Sequence, residues 1–205
     1  MGKIDLKKQY NKFYKPSAKS IETVNIPVFN FLMIDGYGDP NKSESFQEAI
    51  NALYSVSYTL KFMIKKSERQ IDYSVMPLEG LWWCDDMKNF SIENKDIWKW
   101  TLMIMQPDFI SNDEIKIAIK TAKEKKDIPA IDNLRMEKFN ENISVQTMHI
   151  GPFAEEGPTI EKMHNFMKDN NYDFNGKHHE IYLSDIRKAA PEKWKTVLRQ
   201  PVKKL

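Results

Sequence analysis

Residues 45–66, SFQEAINALYSVSYTLKFMIKK, are the stretch that decides the fold. Their apolar side chains recur every three or four residues, which is the spacing of one face of an amphipathic helix. These side chains are Phe46, Ile50, Leu53, Val56, Leu60 and Ile64. Ser45 and Glu48 have the spacing of a capping box, and Lys65 and Lys66 suit a helix C-terminus. The sequence therefore predicts one long helix over residues 45–66.

The segments on either side of this helix are typical of β-strands. Residues 24–34 are apolar and β-rich, and they predict one strand despite Pro27. After the helix, residues 71–84 and 97–105 predict two strands, with the polar residues 85–96 as the turn between them. The order is therefore strand, helix, strand, strand.

A weaker version of this order recurs in the second half of the chain. The predicted elements are a helix after the capping box at residues 111–114, a hairpin of residues 134–139 and 143–150, a helix beginning at Pro158, a strand at residues 178–184, and a short terminal helix from Pro191 carrying Trp194, Val197 and Leu198. We expect an α+β fold of two related modules, within residues 24–106 and 132–186. Together they would form one antiparallel sheet, with the helices on one face and a central ligand groove.

Composition and charge exclude several functional classes. The chain has 205 residues, of which 41% are hydrophobic and 12% aromatic, as expected of a globular protein. Its net charge of +2 argues against a nucleic-acid-binding protein with a broad basic face. One cysteine, Cys84, excludes an internal disulfide and a Cys-rich zinc site. We expect a basic arm over residues 1–20 and a single domain over residues 21–205.

The sequence also predicts the compartment and the absence of a cofactor. No apolar stretch approaches the ~20 residues that span a bilayer, and the lysine-rich N-terminus is not followed by an apolar signal segment. The simplest location is the cytoplasm. Because the sequence lacks a P-loop, a dinucleotide fingerprint and an H-E-x-x-H motif, it predicts neither a cofactor nor a metal. It leaves a monomer and a homodimer equally open.

Residues 178–185, HHEIYLSD, are the most informative for function. Alternate side chains of a strand point to opposite faces, so Ile181 and Leu183 are expected to face the helices. Glu180, Tyr182 and Ser184 would then line the opposite, groove face. A carboxylate beside aromatic rings in a semi-dry groove attracts a cation, orients a donor or activates water. The alternative is an ordinary solvated strand face.

Aromatic residues form a second set of candidates. Trp82 and Trp83 are adjacent in a predicted strand and must face opposite ways, with Glu79 on the face of Trp83. Trp100 lies on the next strand, and Tyr54 and Tyr58 share one face of the long helix. Each ring fits either a core or a pocket wall.

Six short segments, in order, resemble the GyrI-like small-molecule-binding family and in particular its stand-alone branch. They are LYSVSYTLKF at 53–62, PLEGLWW at 77–83, WKWT at 98–101, HIGPF at 149–153, HEIYLSD at 179–185 and the C-terminal segment at 190–202. The resemblance implies two strand-helix-strand-strand modules and a pocket carboxylate at Glu180. It also implies a small hydrophobic or cationic aromatic ligand.

Some stand-alone relatives resemble hydrolases that open the cyclopropane ring of alkylating natural products. For this activity Glu180 would position or deprotonate water, and Tyr58 or Tyr182 would orient it. The predicted ligand contacts are Glu79, Trp82, Trp83, Trp100, Tyr54 and Phe153. Two alternatives remain: a non-catalytic module that senses or sequesters drugs, and a protein-interaction role like that of a gyrase inhibitor.

Overall fold

A computed structural model describes residues 2–85 and 94–205, which form five α-helices and nine β-strands. The helices are α1 (Leu6–Gln9), α2 (Asn11–Tyr14), α3 (Glu44–Lys66), α4 (Asn112–Lys125) and α5 (Gly157–Asp169). The strands are β1 (Glu22–Ile26), β2 (Phe29–Tyr37), β3 (Glu79–Trp83), β4 (Lys99–Gln106), β5 (Arg135–Phe139), β6 (Asn142–Ile150), β7 (Tyr172–Phe174), β8 (His178–Tyr182) and β9 (Lys195–Lys204). The predicted α+β class with antiparallel strand pairing is confirmed.

The chain divides into two compact units, each assembled from several segments. Unit 1 comprises Met1–Gln9, Phe29–Leu78 and Trp82–Phe139, and unit 2 comprises Tyr10–Val28, Glu79–Leu81 and Asn140–Leu205. Strand β3 contributes to both units. The two units therefore interleave along the sequence.

In unit 1, β2 pairs with β4 on one side and with β5 on the other. Helix α3 contacts both β2 and β4, and its central apolar residues Leu53, Val56 and Leu60 are fully buried. The helix ends at Lys66, as the basic residues there predict. The apolar stripe of residues 45–66 is thus the packing face of unit 1.

In unit 2, the strands follow the order β1-β6-β9-β8, and β7 pairs with the far end of β9. Helix α5 begins with Pro158 in its first turn, as predicted. Its buried side chains Met163 and Met167 pack in one cluster with Val145 of β6 and Leu198 of β9. The helix therefore covers one face of the unit 2 sheet.

Two predicted connections are wrong because proline and pairing partners override the hydrophobic pattern. The single strand over residues 24–34 is divided at Pro27, which has no N–H to donate to a ladder. The hairpin of residues 134–150 is also replaced: β5 pairs with β2, whereas β6 pairs with β1. The pattern identifies these strands correctly but carries no information about their partners.

The C-terminal prediction is also wrong. Only Pro191–Lys193 form a short 3-10 helix, and Val197 and Leu198 lie in strand β9. The β-branched pair Thr196 and Val197 favours this extended conformation. Both faces of β9 are buried along most of its length, so neighbouring positions such as Val197 and Leu198 are both apolar. Because the strand lacks alternation of apolar and polar residues, its spacing can be mistaken for the apolar face of a helix.

The predicted capping boxes have different outcomes. Ser111 and Glu114 form the predicted box at the start of α4. The box at Ser45 and Glu48 is wrong, because α3 begins one residue earlier, at Glu44, and the N-cap position is Ser43. The predicted strand over residues 71–84 is limited to β3, and most of the predicted turn at 85–96 lies outside the described residues.

The lysine-rich segment before β1 forms the short helices α1 and α2. Its lysines are exposed, whereas Leu6 and Tyr14 are buried. Over the described residues, no helix combines the length and the apolar character needed to cross a bilayer.

Candidate functional site

Strand β8 presents different chemistry on its two faces. Glu180 pairs with Leu198 of β9, and directly opposed residues of an antiparallel pair share a face. Because Leu198 packs against Met163 and Met167 of α5, Glu180 lies on the helix-covered face. The predicted facing is therefore wrong: Ile181 and its neighbour His179 lie on the other face, away from α5.

Glu180 is the centre of a polar group on the helix-covered face. The hydroxyl of Tyr182 donates a 2.7 Å hydrogen bond to its Oε2. The Glu180 side chain is 15% exposed, so it is shielded but still reached by solvent. A carboxylate held in this way keeps one oxygen occupied and the other available to a ligand or to water.

Aromatic rings continue this group on one side. The ring of Tyr182 meets Phe153 edge-on at a centroid distance of 5.4 Å, and Phe153 lies 4.9 Å from the ring of Trp194. Trp194 is held in place because its indole N–H donates to the carbonyl of Ala189 at 2.8 Å. The structure thus brings together three predicted site residues, Glu180, Tyr182 and Phe153, and adds Trp194.

His178 lies on the other side of Glu180. Its Nε2 is 3.5 Å from Oε1 of Glu180, and this buried nitrogen has no hydrogen-bond partner. Helix α5 contributes His164, whose pKa is lowered by burial and by the charge of His178. We call Glu180, Tyr182, Phe153, Trp194 and His178 the Glu180 cluster; all five belong to unit 2.

The opposite face of β8 carries a buried ion network. His179 is fully buried, with Nδ1 2.9 Å from Glu141 and Nε2 3.0 Å from Glu79. The second oxygen of Glu141 accepts from Arg199 at 2.8 Å, and Tyr14 donates to Glu79 at 2.8 Å. Two carboxylates, an imidazole and a guanidinium therefore neutralise one another out of water.

This network sets the ionisation of its members. Burial favours neutral His179, but the adjacent Glu141 and Glu79 outweigh it and raise the His179 pKa to about 9. Burial likewise opposes the charge of Glu141, yet His179 and Arg199 lower its pKa to about 2. Burial and Glu79 raise the pKa of Tyr14 well above its ordinary value. The network is thus an ion pair at neutral pH, and it fixes β8 directly beside Glu180.

The predicted tryptophan contacts, Trp82, Trp83 and Trp100, belong to unit 1. Trp100 is 1% exposed; its ring packs on the bare backbone of Gly36 and lies 5.1 Å from Phe46. Trp82 is also buried against Phe46, whereas Trp83 is partly exposed. Trp82 and Trp100 therefore take part in the packing of unit 1, and their ligand contact stays a prediction.

The other predicted contacts differ in exposure. Tyr54 and Tyr58 stack at 6.2 Å on α3, and Phe62 extends the row at 6.5 Å from Tyr58. Tyr58 and Phe62 are both about half exposed. Glu79 is fully buried in the ion network, where Tyr14 and His179 occupy its carboxylate. A ligand role for Tyr54 and Tyr58 remains a prediction.

Unit 2 also contains a surface cleft with a volume of about 340 Å³. Residues from the segment before β1, the end of β6 and α5 line it: Lys19, Ile21, Met148, His149, Thr159 and Lys162. No predicted site residue is among them. Within residues 2–85 and 94–205, no group of three or more His, Cys, Asp or Glu side chains is arranged to hold a metal ion.

Comparison with known proteins identifies this architecture. The profile of the GyrI-like small molecule binding domain matches residues 19–203. The chain belongs to the GyrI-like family. The resemblance predicted from the sequence motifs is thereby confirmed. No curated protein matches the chain.

Solved structures extend this comparison. An uncharacterized conserved protein from Listeria innocua shares 42% identity at a TM-score of 0.91, over 98% of this chain and 100% of that one. A hydrolase encoded by lin2189 from Listeria innocua has the same identity and coverage, with a TM-score of 0.88. The EcmrR C-terminal domain is 14% identical at a TM-score of 0.55, over 91% of this chain and 98% of that domain, and it shares the fold alone.

Sequence reasoning missed two members of the Glu180 cluster. His178 has a signal in the sequence, because it stands two residues before Glu180 and therefore shares its strand face. Trp194 has none: it is brought to Phe153 by a connection between β8 and β9 whose path cannot be derived from residue spacing.

Proposed function

We propose that this GyrI-like chain binds hydrophobic or cationic aromatic small molecules at the Glu180 cluster and hydrolyses a strained cyclopropane ring in them. The observation that carries the proposal is the 2.7 Å hydrogen bond that Tyr182 donates to Glu180. The Glu180 carboxylate is only partly exposed, and aromatic rings lie beside it. The 42% identity with a Listeria innocua hydrolase supports the catalytic half of the proposal.

Binding follows from charge and ring contacts. The carboxylate of Glu180 supplies one negative charge with limited solvent screening, which attracts a cationic ligand. Phe153 lies 5.4 Å from the ring of Tyr182, and Trp194 continues this ring surface 4.9 Å from Phe153. Such surface favours planar apolar and cationic groups. Phe153 is 38% exposed, so a ligand can reach it without displacing the core.

The proposed reaction needs one base and one activated ring. Tyr182 occupies Oε2 of Glu180, so Oε1 accepts a proton from a water molecule. The water oxygen forms a bond to the less hindered ring carbon while the strained carbon–carbon bond breaks. The electron pair of that bond passes to the conjugated carbonyl oxygen of the substrate, which is then protonated from solvent. The product is the ring-opened alcohol.

A non-catalytic drug-binding module is the second candidate. It uses the same carboxylate and rings, but it requires no water beside Glu180. The buried, unpartnered nitrogen of His178 favours this candidate, because it suits matching the charge of a ligand and has no role in the proposed ring opening. Ligand binding without turnover would decide for it.

Ring opening by the purified protein tests the proposal. A cyclopropane-bearing alkylator is incubated with wild type, Glu180→Gln and Tyr182→Phe, and mass spectrometry follows the addition of one water. We expect Glu180→Gln to lower turnover by about 100-fold or more, because it removes the base. Tyr182→Phe should lower it less, by about tenfold, because it removes one hydrogen bond to the carboxylate.

The outcomes separate the two candidates. Turnover by wild type at the buffer rate, together with ligand binding that needs Glu180, would reject hydrolysis of that substrate and support the binding module. Equal turnover by wild type and Glu180→Gln would reject the role of Glu180. Tyr58→Phe is included as a parallel variant because Tyr58 is the other tyrosine predicted to orient water.

A further inference from the structure

We propose that His178 is a specificity-determining residue of the Glu180 cluster: its charge state sets how strongly the cluster prefers cationic over neutral ligands. The inference rests on the proposed ligand site and adds a residue that lies outside the motif HEIYLSD. Its basis is the placement of an unpartnered buried nitrogen 3.5 Å from the carboxylate that would hold the ligand's charge.

The geometry gives the two oxygens of Glu180 different neighbours. Oε2 is held by the Tyr182 hydroxyl, which is neutral. Oε1 faces Nε2 of His178 at a distance too long for an N–H···O hydrogen bond but short enough for an ion pair. The His178 side chain is 8% exposed, so little water screens this pair.

The charge of His178 therefore decides the net charge that a ligand meets. With neutral His178, Glu180 presents one uncompensated negative charge. With protonated His178, the two side chains form a neutral ion pair, and a cationic ligand must compete with an imidazolium for the same oxygen. A neutral aromatic ligand is indifferent to this change, because it uses only the rings of Phe153 and Trp194.

Two titratable side chains face His178. Glu180 faces it from its own strand, and His164 faces it from α5. Burial and the charge of His178 lower the pKa of His164. On β7, Asp173 lies within 3.8 Å of Lys203 of β9, and both are about half exposed. The Glu180 carboxylate is thus the acidic partner at the unpartnered nitrogen.

A matched pair of ligands tests the inference. N-methylphenanthridinium is a permanent cation, and phenanthrene is an uncharged ring system of almost the same shape. The dissociation constant of each is measured by fluorescence between about pH 5.5 and pH 8, the range over which histidine changes charge. For wild type we expect the cation to bind about tenfold more tightly at the upper end of this range, while phenanthrene binding stays constant.

Variants at His178 fix the two charge states. His178→Gln should bind the cation tightly at every pH, and His178→Lys should bind it weakly at every pH. His164→Gln is the matched control: it removes the neighbouring imidazole on α5 and should keep the pH dependence of wild type. Circular dichroism of each variant confirms that it is folded, and unchanged phenanthrene binding confirms that the rings are intact.

Each outcome decides the matter. A pH dependence that persists in His178→Gln would overturn the role of His178 while leaving the ligand site in place. If the cation binds wild type and Glu180→Gln equally, the ligand site itself fails, and with it this inference. If neither probe binds wild type, the ligand site and this inference fail in the same way. If the pH dependence is lost in His178→Gln but kept in His164→Gln, the role of His178 is supported.

Discussion

Nδ1 of His179 lies 2.9 Å from Oε1 of Glu141, and neither side chain has appreciable contact with solvent. The imidazole also meets Glu79 at 3.0 Å, so one buried cation bridges a carboxylate of strand β3 and one from the connection between β5 and β6. Because the next residue is Glu180, the backbone of the proposed ligand site is anchored at its immediate neighbour. An ion network and a ligand site thus share one short strand.

The first prediction concerns stability at alkaline pH. The pKa of His179 is about 9 in the folded protein, whereas an unfolded histidine has the ordinary pKa of 6.5. The stabilisation is therefore complete below about pH 6.5 and is lost as the pH rises to about 9, with a total on the order of 3 kcal/mol. Urea unfolding of wild type should show a falling free energy of unfolding across this range.

The variant His179→Gln provides the comparison. It leaves Glu79 and Glu141 without their shared cation, and we expect a loss of about 3–5 kcal/mol near pH 6. This deficit should shrink at alkaline pH, because wild type loses its own ion pair there. An equal difference in the free energy of unfolding at about pH 6 and pH 9.5 would contradict the conclusion that folded His179 is protonated at neutral pH.

The second prediction identifies the fluorescence reporter of ligand binding. Trp194 is the tryptophan in contact with Phe153 of the Glu180 cluster, whereas Trp98 contacts Trp82 in unit 1. Quenching by a cationic aromatic ligand should disappear in Trp194→Phe and persist in Trp98→Phe. Calorimetry should still detect binding to Trp194→Phe, since a ring remains at that position. Quenching that survives in Trp194→Phe would place the ligand elsewhere.

The third prediction concerns close packing in unit 1. A Cβ atom on Gly36 would lie 2.1 Å from the Trp100 ring, far inside van der Waals contact. Because Trp100 is fully buried, Gly36→Ala should lower the free energy of unfolding by about 1–3 kcal/mol or more. Gly157→Ala is the control, since no atom lies within 4 Å of the added methyl group. Thermal unfolding of the two variants checks the difference.

The fourth prediction compares two serines at helix N-termini. Ser111 accepts from the Glu114 backbone at 3.2 Å, and Glu114 accepts from the Ser111 backbone at 2.8 Å. Ser111→Ala should therefore cost about 1 kcal/mol. Ser43 occupies the same position before α3 but makes no side-chain capping bond, so Ser43→Ala should cost a few tenths at most. Equal losses in denaturant midpoint would contradict these assignments.

The sequence predicts elements better than it predicts their partners. The helices at residues 45–66 and 111–125 are predicted correctly because their signals are local. Both have apolar residues at helical spacing; the first ends in lysines and the second begins with a Ser–Glu capping box. The pairing of Phe139 with Phe29 and of Asn142 with Ile26 depends on contacts more than a hundred residues apart along the chain, which no local pattern encodes. The hairpin expected around Asn140 fails for this reason.

The candidate site shows the same limit. Alternation along residues 178–184 correctly separates Glu180 and Tyr182 from Ile181, but it does not say which face α5 covers. The predicted hairpin places Glu141 in a turn, whereas in the structure it is a buried partner of Arg199. A polar residue between two strands is ordinarily solvated, and only the three-dimensional placement of His179 and Arg199 explains its burial.

The alternation along β8 has a consequence for how this protein can change. Even-numbered positions face the proposed ligand, and odd-numbered positions hold the ion network and the core. Substitution at 178, 180 or 182 can thus retune ligand choice while the fold keeps its internal charges. A one-residue insertion or deletion would exchange the two sets, burying Glu180 and exposing His179. New ligand preferences in this strand must therefore arise by substitution at fixed length.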